Sequence, residues 1–595
     1  MPHPAEQPTD IDLPQVLRAY ALVADGERGA VIGPTGDVAW LCFPGWGDDP
    51  VFASLLGGQG RYQIRPTKRF VWGGQYDEGT LVWRNHWLIG SDVTDCVEAL
   101  AFPGRADRAV LVRRVIAVQG PAEVAVRLEL RDDFGNRHPA RLRPTEAGVW
   151  EGRFRGLHVR WTPYGEPRWS EGAAHATVRL DPGTHADFTL ELSTTPFDDE
   201  PADADAILTA TTIRWRDVAP PTMQASYAAR DIRHAVALLR GMTTSSGAMV
   251  AAATTSLPER ADQGRNYDYR YAWIRDQCYT GIAGARADGP AEALLDNAVL
   301  FVHQRLLADG AKLRPAYHPD GLEVPAQRAI DLAGYPGATT VISGNPAGEQ
   351  FQLDVFGEAL SLFAAAASRD RLEGDAWRAA EVAAAAIEQR WAEPDAGVWE
   401  VQPARYTHSR LACVAGLRAL ARHAPTGSRT SRWLALADSI MAKVAATSVH
   451  RTGRWQRADD DERVDAALLL AAIRGAVPID DPRMEATLAS VRRDLVVDGY
   501  TYRYPVDDAP LGQAEGAFLL CGFWLAEATH LAGDAVGAAH LFERNRAACG
   551  PPGIYTEEYD THQRQLRGNF PQAFVHAALL ETAVTLSDTT LSKTE

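Results

Sequence analysis

One segment of the chain places a glutamate directly after a tryptophan, in a position suited to acid chemistry. The segment EPDAGVWEVQPARYTHSR covers residues 393–410, and Glu400 follows Trp399 between two stretches with helical spacing. A carboxyl group beside an indole is partly desolvated and therefore holds its proton more readily, as a general acid must. Because a single Glu beside a Trp is more often an ordinary surface pair, this segment indicates a proton donor only if a second carboxyl group joins it.

A second segment supplies candidates for that partner. The stretch GIYTEEYDTHQRQLRGNFPQAFVHAALL covers residues 553–580 and contains Glu557 and Glu558 in succession. Two adjacent like charges usually lie in a solvated turn. If one of them instead points into the same pocket as Glu400, the two carboxyl groups form the acid and base pair that glycoside hydrolysis requires.

A third segment has the composition of a sugar-binding loop. NYDYRYAWIRDQCY, residues 266–279, combines aromatic side chains with the adjacent pair Arg275 and Asp276. Aromatic faces stack on sugar rings, and an Arg and Asp pair can hold hydroxyl groups through charge-assisted hydrogen bonds. These residues could grip a neutral polyol, or they could form a structural ion pair at the start of a helix.

The N-terminal third must fold mainly as strands. Between Tyr20 and about Glu200, segments such as AVLVRRVIAV, AEVAVRLEL and HATVRL alternate apolar and polar residues and are separated by turn residues. This pattern predicts an antiparallel β-sandwich. PFDDEPADADA, residues 196–206, is rich in Pro and Asp and predicts a linker or an exposed connection. We place the domain boundary near Pro220, which predicts a sandwich domain with its linker at 1–220 and a catalytic domain at 221–595.

The remainder must fold as helices. Ala-rich segments with helical spacing recur from about Arg230 to Leu586, among them ALLDNAVLFVHQRLL and WRAAEVAAAAIEQRW. We count roughly a dozen, each in the usual length range of globular helices. Periodicity alone predicts a large all-α domain, and twelve helices would suit a barrel of six inner and six outer helices.

Composition excludes several classes of function. The formal net charge is −17, which disfavours nucleic acid and anionic membranes as partners. The sequence has no signal-like or membrane-spanning stretch and no C-x-x-C pair, so we expect free thiols and a cytoplasmic location. It lacks G-x-S-x-G, H-E-x-x-H and phosphate-loop motifs, and its histidines show no ligand-like spacing. We therefore predict no metal and no cofactor, while the oligomeric state cannot be inferred.

The chain resembles bacterial members of glycoside hydrolase family 15, the glucoamylase and trehalase family, over nearly its whole length. IGPTGDVAWLCFPGWGDDPVFASLLGG, residues 32–58, is similar to the opening of the family's β-sandwich domain. Five further blocks follow in the family's order, namely YDYRYAWIRD, PAGEQFQLDVFGEAL, GVWEVQPARYTHSR, AEGAFLLCGFWLAEA and TEEYDTHQRQLRGNFPQAFVHAALL. Such an ordered set is not expected by chance.

The resemblance implies a fold and a set of roles. It implies an N-terminal antiparallel β-sandwich followed by an (α/α)6 barrel, in which Glu400 is the general acid and Glu557 the general base. Arg275 and Asp276 would bind the hydroxyls of the terminal glucose. Other substrate contacts would come from Trp273, Trp399, Tyr406 and Glu558, with Glu558 also the alternative base, and supporting contacts from His408, Glu515 and Gln572. Inversion would hold the two catalytic carboxyl groups roughly 6.5 to 9.5 Å apart.

The resemblance leaves the substrate open. The leading prediction is exo-acting hydrolysis of α-glucosides such as maltooligosaccharides with release of β-glucose, and the alternative is hydrolysis of α,α-trehalose by the same chemistry. Trehalose needs a closed, polar site for its second sugar, whereas maltooligosaccharides need an open groove lined by aromatics. Two more distant alternatives are a phosphorylase, which would lack the base, and a glycan-binding protein without catalysis.

Overall fold

The computed structural model describes residues 14–588 except 132–133, 136–139, 146–147, 222, 224, 261–263, 425–426 and 507–509. Its N-terminal part is built of antiparallel strands. The strands are β1 (Ala21–Ala24), β2 (Gly29–Ile32), β3 (Asp37–Cys42), β4 (Pro50–Phe52), β5 (Arg61–Pro66), β6 (Val71–Tyr76), β7 (Trp83–Ile89), β8 (Asp92–Leu100), β9 (Arg108–Gln119), β10 (Ala122–Glu129), β11 (Arg143–Pro144), β12 (Trp150–Phe154), β13 (Leu157–Thr162), β14 (Arg168–Ser170), β15 (Ala173–Leu180) and β16 (His185–Ser193).

These strands form two eight-stranded sheets that enclose an apolar core. One sheet has the order β1-β2-β3-β5-β10-β15-β14 with β4 beside β3, and the other has the order β11-β12-β13-β16-β9-β8-β7-β6. Alternate residues of β10, such as Val124, Val126 and Leu128, point into the core that they share with Leu111 and Trp87 of the other sheet. Because side chains of a strand alternate between its two faces, the period-two pattern of the sequence predicts this sandwich, which is confirmed.

The predicted linker contains the start of a helix. Helix α1 (Ala204–Val218) begins inside the Pro- and Asp-rich stretch, because the Asp203 side chain accepts a hydrogen bond from the backbone NH of Ala206 and caps the first turn. On this helix Trp215 is fully buried and stacks on Phe102 of the sandwich, with ring centroids 3.7 Å apart. The connection is therefore partly a packed helix, and the exact domain boundary remains a prediction.

Twelve further helices make up the C-terminal part that the structure describes. They are α2 (Ala229–Gly241), α3 (Ile274–Ala287), α4 (Glu292–Asp309), α5 (Asp354–Ala367), α6 (Gly374–Arg390), α7 (Thr407–Ala421), α8 (Ser428–Thr447), α9 (Leu470–Ile473), α10 (Pro482–Asp494), α11 (Leu519–Leu531), α12 (Ala535–Arg546) and α13 (Ala573–Ser587). Helices α3, α5, α7, α9, α11 and α13 contact one another in a closed inner ring, and the other six lie outside it. The (α/α)6 barrel is confirmed.

The inner helices are buried nearly all round, which explains their apolar, Ala-rich sequences. Helices α5 and α7 approach most closely where Gly357 faces Gly416, since a Cβ on Gly416 would lie 2.2 Å from the backbone oxygen of Gly357. Outer helices such as α10 and α12 are capped by aspartates, Asp481 and Asp534. Short strands in the loops between helices are β17 (Ala272–Trp273), β18 (Ala316–Tyr317), β19 (Arg328–Ile330), β20 (Val341–Ser343), β21 (Val496–Val497), β22 (Tyr500–Thr501), β23 (Ala517–Phe518), β24 (Glu558–Asp560) and β25 (Gln565–Arg567).

The sandwich packs directly against the barrel loop that precedes α3. The indole of Trp40 donates a hydrogen bond of 2.9 Å to the carbonyl of Ala253, and the guanidinium of Arg270 donates one of 2.8 Å to the carbonyl of Asp48. Arg270 is fully buried and also binds the carboxylate of Asp268. The first domain thus contacts the loop that leads into α3, whose first turn contains Arg275 and Asp276.

The cysteines and the helix lengths bear on two of the predictions made from the sequence. All six cysteines lie within the described residues as free thiols, and five of them are buried. Of the helices in the described residues, none is both long and apolar enough to cross a membrane.

Candidate active site

A cavity of about 190 Å³ opens at one end of the barrel. Its walls come from the loops that lead into the N-termini of the inner helices, so residues far apart in the chain meet there. The lining residues are Ala251, Glu259, Arg265, Tyr267, Tyr269, Trp273, Arg275, Asp276, Asn345, Pro346, Ala347, Gln350, Val398, Trp399, Glu400, Val401, Arg503, Tyr504, Phe518, Glu557, Gln572 and Phe574. Four carboxylic acids and three arginines share this space with aromatic faces, a composition that suits a neutral, hydroxyl-rich ligand.

Glu400 lies in a tight turn between α6 and α7. Its φ is +54°, an unusual backbone conformation for a residue with a side chain, which the surrounding structure must hold in place. Its Oε1 accepts a hydrogen bond of 2.7 Å from the indole NH of Trp273 and lies 3.5 Å from Nη2 of Arg275. The side chain is 24% exposed, so the carboxyl group is both anchored and reachable from the cavity.

A buried aspartate holds this turn. Oδ1 of Asp395 accepts hydrogen bonds from the backbone NH of Gly397 at 2.8 Å and from the hydroxyl of Ser409 at 2.9 Å. Burial, reinforced by the nearby Asp354, raises the pKa of Asp395 to about 7. Asp395 therefore ties the turn that carries Glu400 to the first turn of α7.

The indole that contacts Glu400 belongs to Trp273 and not to its chain neighbour Trp399. The NH of Trp399 points away and donates to both carboxylate oxygens of Asp465, at 2.9 and 3.0 Å. Trp399 still lines the cavity, and its ring packs edge-on against Phe518 with centroids 5.6 Å apart. The pairing of Glu400 with Trp399, expected from sequence adjacency, is replaced by a contact across 127 positions.

Arg275 and Asp276 begin α3 and both line the cavity. Nη1 of Arg275 donates a hydrogen bond of 3.0 Å to the carbonyl of Val398, and its Nε lies 3.4 Å from Oδ1 of Asp276. Burial raises the pKa of Asp276 to about 6, because its loss of water outweighs the attraction of Arg275, and Glu400 adds to the rise. Arg275 therefore joins the start of α3 to the Glu400 turn, and both residues face the cavity.

Glu557 faces the same cavity from the loop between α12 and α13. It is 8% exposed, and its Oε2 lies 3.1 Å from the hydroxyl of Tyr269, which lies at the same distance from Oε1 of Glu259. Burial, followed by the like charge of Glu259, holds the pKa of Glu557 well above its ordinary value. The structure thus brings Glu400 and Glu557 to one cavity, where each has a different hydrogen-bond partner.

Glu558, predicted as a substrate contact and as the alternative base, lies outside the residues that line the cavity. It is fully buried, and its Oε2 accepts a hydrogen bond of 2.7 Å from the backbone NH of Gly516. Glu558 is the first residue of β24, and successive side chains along an extended chain point in opposite directions. The geometry therefore favours Glu557 as the member of this pair that reaches a substrate.

Tyr406, also predicted as a wall of the pocket, lies behind the Glu400 turn. Its hydroxyl donates a hydrogen bond of 2.7 Å to the carbonyl of Gln402, and its ring fills the space where a Cβ on Gly397 would clash at 2.6 Å. The Tyr406 ring therefore packs against Gly397 and supports the turn from outside the cavity lining.

The three residues predicted to support the site differ in their positions. Gln572 lines the cavity, and Glu515 binds Arg503 and Arg265 at its edge, with distances of 2.6 and 2.9 Å. His408 is buried on α7, and burial lowers its pKa to about 3, so that it is neutral. Glu515 therefore acts on the cavity only through the two arginines.

Several cavity residues were missed from the sequence. Tyr269 belongs to the aromatic block and was not singled out within it, whereas Glu259, Arg265 and Arg503 lie outside the blocks that carry the chemistry. An antiparallel bridge between Thr255 and Asp268 folds the Glu259 segment back on the aromatic block, which is how Glu259 reaches the cavity. The turn residue Gly264, which has a positive φ, is a local signal for this folding. Among the described residues, no three His, Cys, Asp or Glu side chains converge as metal ligands.

Comparison with known proteins identifies the family. The model for "Glycosyl hydrolases family 15" matches residues 225–584. The chain belongs to this family. A second model, "Trehalase-like, N-terminal", matches residues 12–152 of the sandwich. This member of family 15 is therefore a glycoside hydrolase.

Individual relatives agree with this assignment. The family 15 chain is 30% identical to a trehalase of Mycolicibacterium smegmatis over 615 residues, covering 95% of this chain and 90% of that protein. It is 31% identical to a trehalase of Mycobacterium tuberculosis, covering 95% and 88% of the two chains. The crystal structure of a bacterial glucoamylase complexed with acarbose superposes with a TM-score of 0.70 at 13% identity, covering 98% of this chain and 96% of that one. The last likeness confirms the arrangement of sandwich and barrel.

Proposed function

We propose that this family 15 glycosidase is an α,α-trehalase, which hydrolyses trehalose to two molecules of glucose. The observation that carries the hydrolytic chemistry is that Glu400 and Glu557 line the same cavity on separate loops, Glu400 in contact with Trp273 and Glu557 in contact with Tyr269. The choice of trehalose is supported by two relatives of that name that match 95% of the chain, and by the trehalase-like N-terminal model. This ranks trehalose above the maltooligosaccharides that the sequence analysis placed first.

The proposed acid is Glu400. Trp273 and Arg275 hold its carboxyl group at the cavity wall, where it protonates the oxygen that joins the two sugars. The bond between that oxygen and the anomeric carbon of the first glucose then breaks, and the second glucose leaves as a neutral alcohol. Because the leaving group is a sugar hydroxyl and a poor leaving group without a proton, this donation carries a large part of the rate.

The proposed base is Glu557. Its carboxylate takes a proton from a water molecule that attacks the anomeric carbon on the face opposite the leaving oxygen, so the first glucose is released with inverted configuration. Inversion requires room for that water between the two carboxyl groups, and the separation of roughly 6.5 to 9.5 Å predicted from the family remains a prediction. The proton that Glu400 gives up and the one that Glu557 gains balance over the cycle.

The proposed binding residues fit a disaccharide with polar groups at both ends. Arg275 and Asp276 offer charge-assisted hydrogen bonds to the hydroxyls of the first glucose. Arg265 and Arg503 face the same cavity and would meet the second sugar, for which a charged and polar wall suits glucose better than an apolar groove does. Trp399 supplies an apolar face for ring stacking.

A second candidate substrate is an α-linked glucose oligosaccharide. The observation that favours it is Tyr267, which lines the cavity, is 38% exposed, and stacks on Tyr269 with ring planes 13° apart. An aromatic face open to solvent could support further sugar units beyond the cavity.

Proton NMR of the purified protein with trehalose, maltose, maltotriose and isomaltose in parallel, without phosphate, tests both candidates. The proposal expects cleavage of trehalose with equal initial amounts of α- and β-glucose, because one unit is inverted and the other leaves unchanged. Initial release of β-glucose from maltotriose, with trehalose intact, would instead select the second candidate. Initial α-glucose from maltotriose would indicate retention and overturn the roles of Glu400 and Glu557.

A further inference from the structure

The cavity contains a carboxyl group for which the proposed mechanism has no use. Glu259 lies in the loop between α2 and α3, is 5% exposed, and lines the cavity beside Glu557. The Tyr269 hydroxyl lies 3.1 Å from Oε1 of Glu259 and 3.1 Å from Oε2 of Glu557. One phenol therefore bridges two carboxyl groups.

The Tyr269 hydroxyl has a single proton, which limits how it can bind both carboxyl groups. A tyrosine hydroxyl has one proton to donate, and it accepts through its lone pairs. If both contacts are hydrogen bonds, Tyr269 donates to one carboxylate and accepts from the other carboxyl group, which must then be protonated. If both carboxyl groups are ionised, Tyr269 can serve only one of them, and the other needs a different partner.

The charges around Glu259 indicate which carboxyl group keeps the proton. The titratable and charged groups that face Glu259 are Arg265, Tyr267, Tyr269, Arg503, Glu557 and Glu558. Arg503 favours the ionised forms of both Glu259 and Glu557, and Arg265 adds to this effect at Glu259. The two carboxyl groups also contact each other directly, and this contact, with the like charge of Glu259, raises the pKa of Glu557 and lowers that of Glu259. The proton of the pair therefore stays on Glu557 until the pH rises far enough to remove it.

We propose that Glu259 is a positioning residue for Glu557, whose ionisation and orientation it controls through its own charge and through the hydroxyl of Tyr269. The proposal rests on the roles proposed above for Glu400 and Glu557. At low pH, the proton of Glu557 is held between the two carboxyl groups, and the Tyr269 hydroxyl donates to one of them. When Glu557 loses its proton, the Tyr269 hydroxyl donates to it, and the positive charges of Arg503 and Arg265 stabilise the carboxylate of Glu259.

This arrangement makes Glu557 a stronger base, but it also narrows the pH range in which Glu557 is ionised. A carboxylate beside a second carboxylate binds a proton more tightly, so Glu557 accepts the proton of water more readily once it is ionised. The same like charge makes Glu557 ionise only at higher pH. The acid limb of the pH profile, where activity falls as Glu557 becomes protonated, therefore reports on Glu259.

The test is the pH dependence of kcat/KM and kcat for the whole protein and for Glu259→Gln, on whichever disaccharide the NMR experiment shows to be hydrolysed. Glutamine keeps the size of the side chain and removes its charge. We expect the acid limb of Glu259→Gln to move to lower pH by about one unit or more, and kcat on the plateau to fall because the base is weaker. Glu259→Asp keeps the charge but withdraws it by one methylene, so its acid limb should lie between the other two.

The control is Glu388→Gln, a partly exposed carboxylate on α6 that pairs with Arg432 at the surface. Its profile should match that of the wild type. An acid limb that stays in place in both Glu259 variants while the plateau falls would show a merely structural role and overturn the proposal. If Glu259→Gln does not fold, as judged by circular dichroism, coincident acid limbs of Glu259→Asp and the wild type overturn it equally. A wild type that hydrolyses no disaccharide would contradict the proposed function instead.

Discussion

The interior of the sandwich and the cavity of the barrel both bury carboxyl groups, but the side chains that contact these groups differ. In the sandwich, Glu98 is fully buried and receives hydrogen bonds from Arg113 at 3.0 Å and from Asn85 at 2.9 Å. In the barrel cavity, Glu557 shares the hydroxyl of Tyr269 with Glu259, a group of its own charge. Glu98 is paired with a cation, whereas Glu557 lies beside a group of like charge that raises its pKa, as is common for carboxyl groups that transfer protons.

The strongest test of this contrast is Glu557→Gln. If Glu557 is the base, we expect the rate to fall by about 10² to 10⁴-fold on trehalose, since no carboxylate remains to take the proton of water. The loss should be as large on α-glucosyl fluoride, and thermal unfolding should hardly change. Initial rates and a melting curve measure the two effects, and a variant that keeps more than a tenth of the activity would remove Glu557 from the mechanism.

Glu400→Gln should separate the acid from the base. On trehalose we expect a loss of about 10² to 10⁴-fold, because the leaving sugar no longer receives a proton. On α-glucosyl fluoride the loss should be much smaller, because fluoride leaves without a full proton transfer. The ratio of the two rates, measured beside Glu557→Gln, checks the assignment, and equal losses on both substrates would contradict it.

Arg113→Met should show the opposite behaviour in the sandwich. Removing the cation leaves Glu98 buried without its charged partner, which should lower the free energy of unfolding by about 3 to 5 kcal/mol. The kcat of the folded protein should stay the same, because the pair lies outside the cavity. Denaturant unfolding and kcat at low temperature measure both, and the double variant Arg113→Met with Glu98→Leu should recover part of the stability.

Trp273→Phe probes the contact that holds Glu400. Phenylalanine keeps the ring but not the indole NH, so a hydrogen bond to a carboxyl group worth about 1.5 to 3 kcal/mol is lost. If that bond orients the acid, kcat/KM should fall by about 10 to 100-fold, with the larger part of the loss in kcat. Trp169→Phe in the sandwich serves as the matched control, and equal kinetics for the two variants would show that the indole of Trp273 does not orient the acid.

The smallest effect is expected for Tyr406→Phe. The hydroxyl bonds to the carbonyl of Gln402 outside the cavity lining, so its loss should lower stability by about 0.5 to 1.5 kcal/mol and change kcat/KM by less than about twofold. A thermal melt measures the change in stability, and steady-state kinetics measure the change in kcat/KM. A tenfold fall in kcat/KM would place Tyr406 in contact with the substrate, as the sequence analysis predicted.

The sequence predicts the fold well and the site in part. The alternation in AEVAVRLEL and the helical spacing in WRAAEVAAAAIEQRW become β10 and α6 because apolar periodicity is a local consequence of burial on one face. Trp273, Arg275, Asp276, Trp399, Glu400 and Glu557 all line the cavity, as expected of substrate-contacting residues. Glu558 and Tyr406 do not, because the direction of a side chain depends on the backbone of its own turn or strand.

By itself, the sequence determined that a strand-rich domain precedes a helical one, and that carboxyl groups, arginines and aromatics gather in the loops before certain helices. Only the tertiary structure decided that the indole of Trp273 contacts Glu400 while that of Trp399 binds Asp465, and that Glu259 meets Glu557 through Tyr269. The reason is physical. Periodicity records which face of an element is buried, whereas partners across a cavity are set by closure of the helix ring, which joins loops distant in the chain.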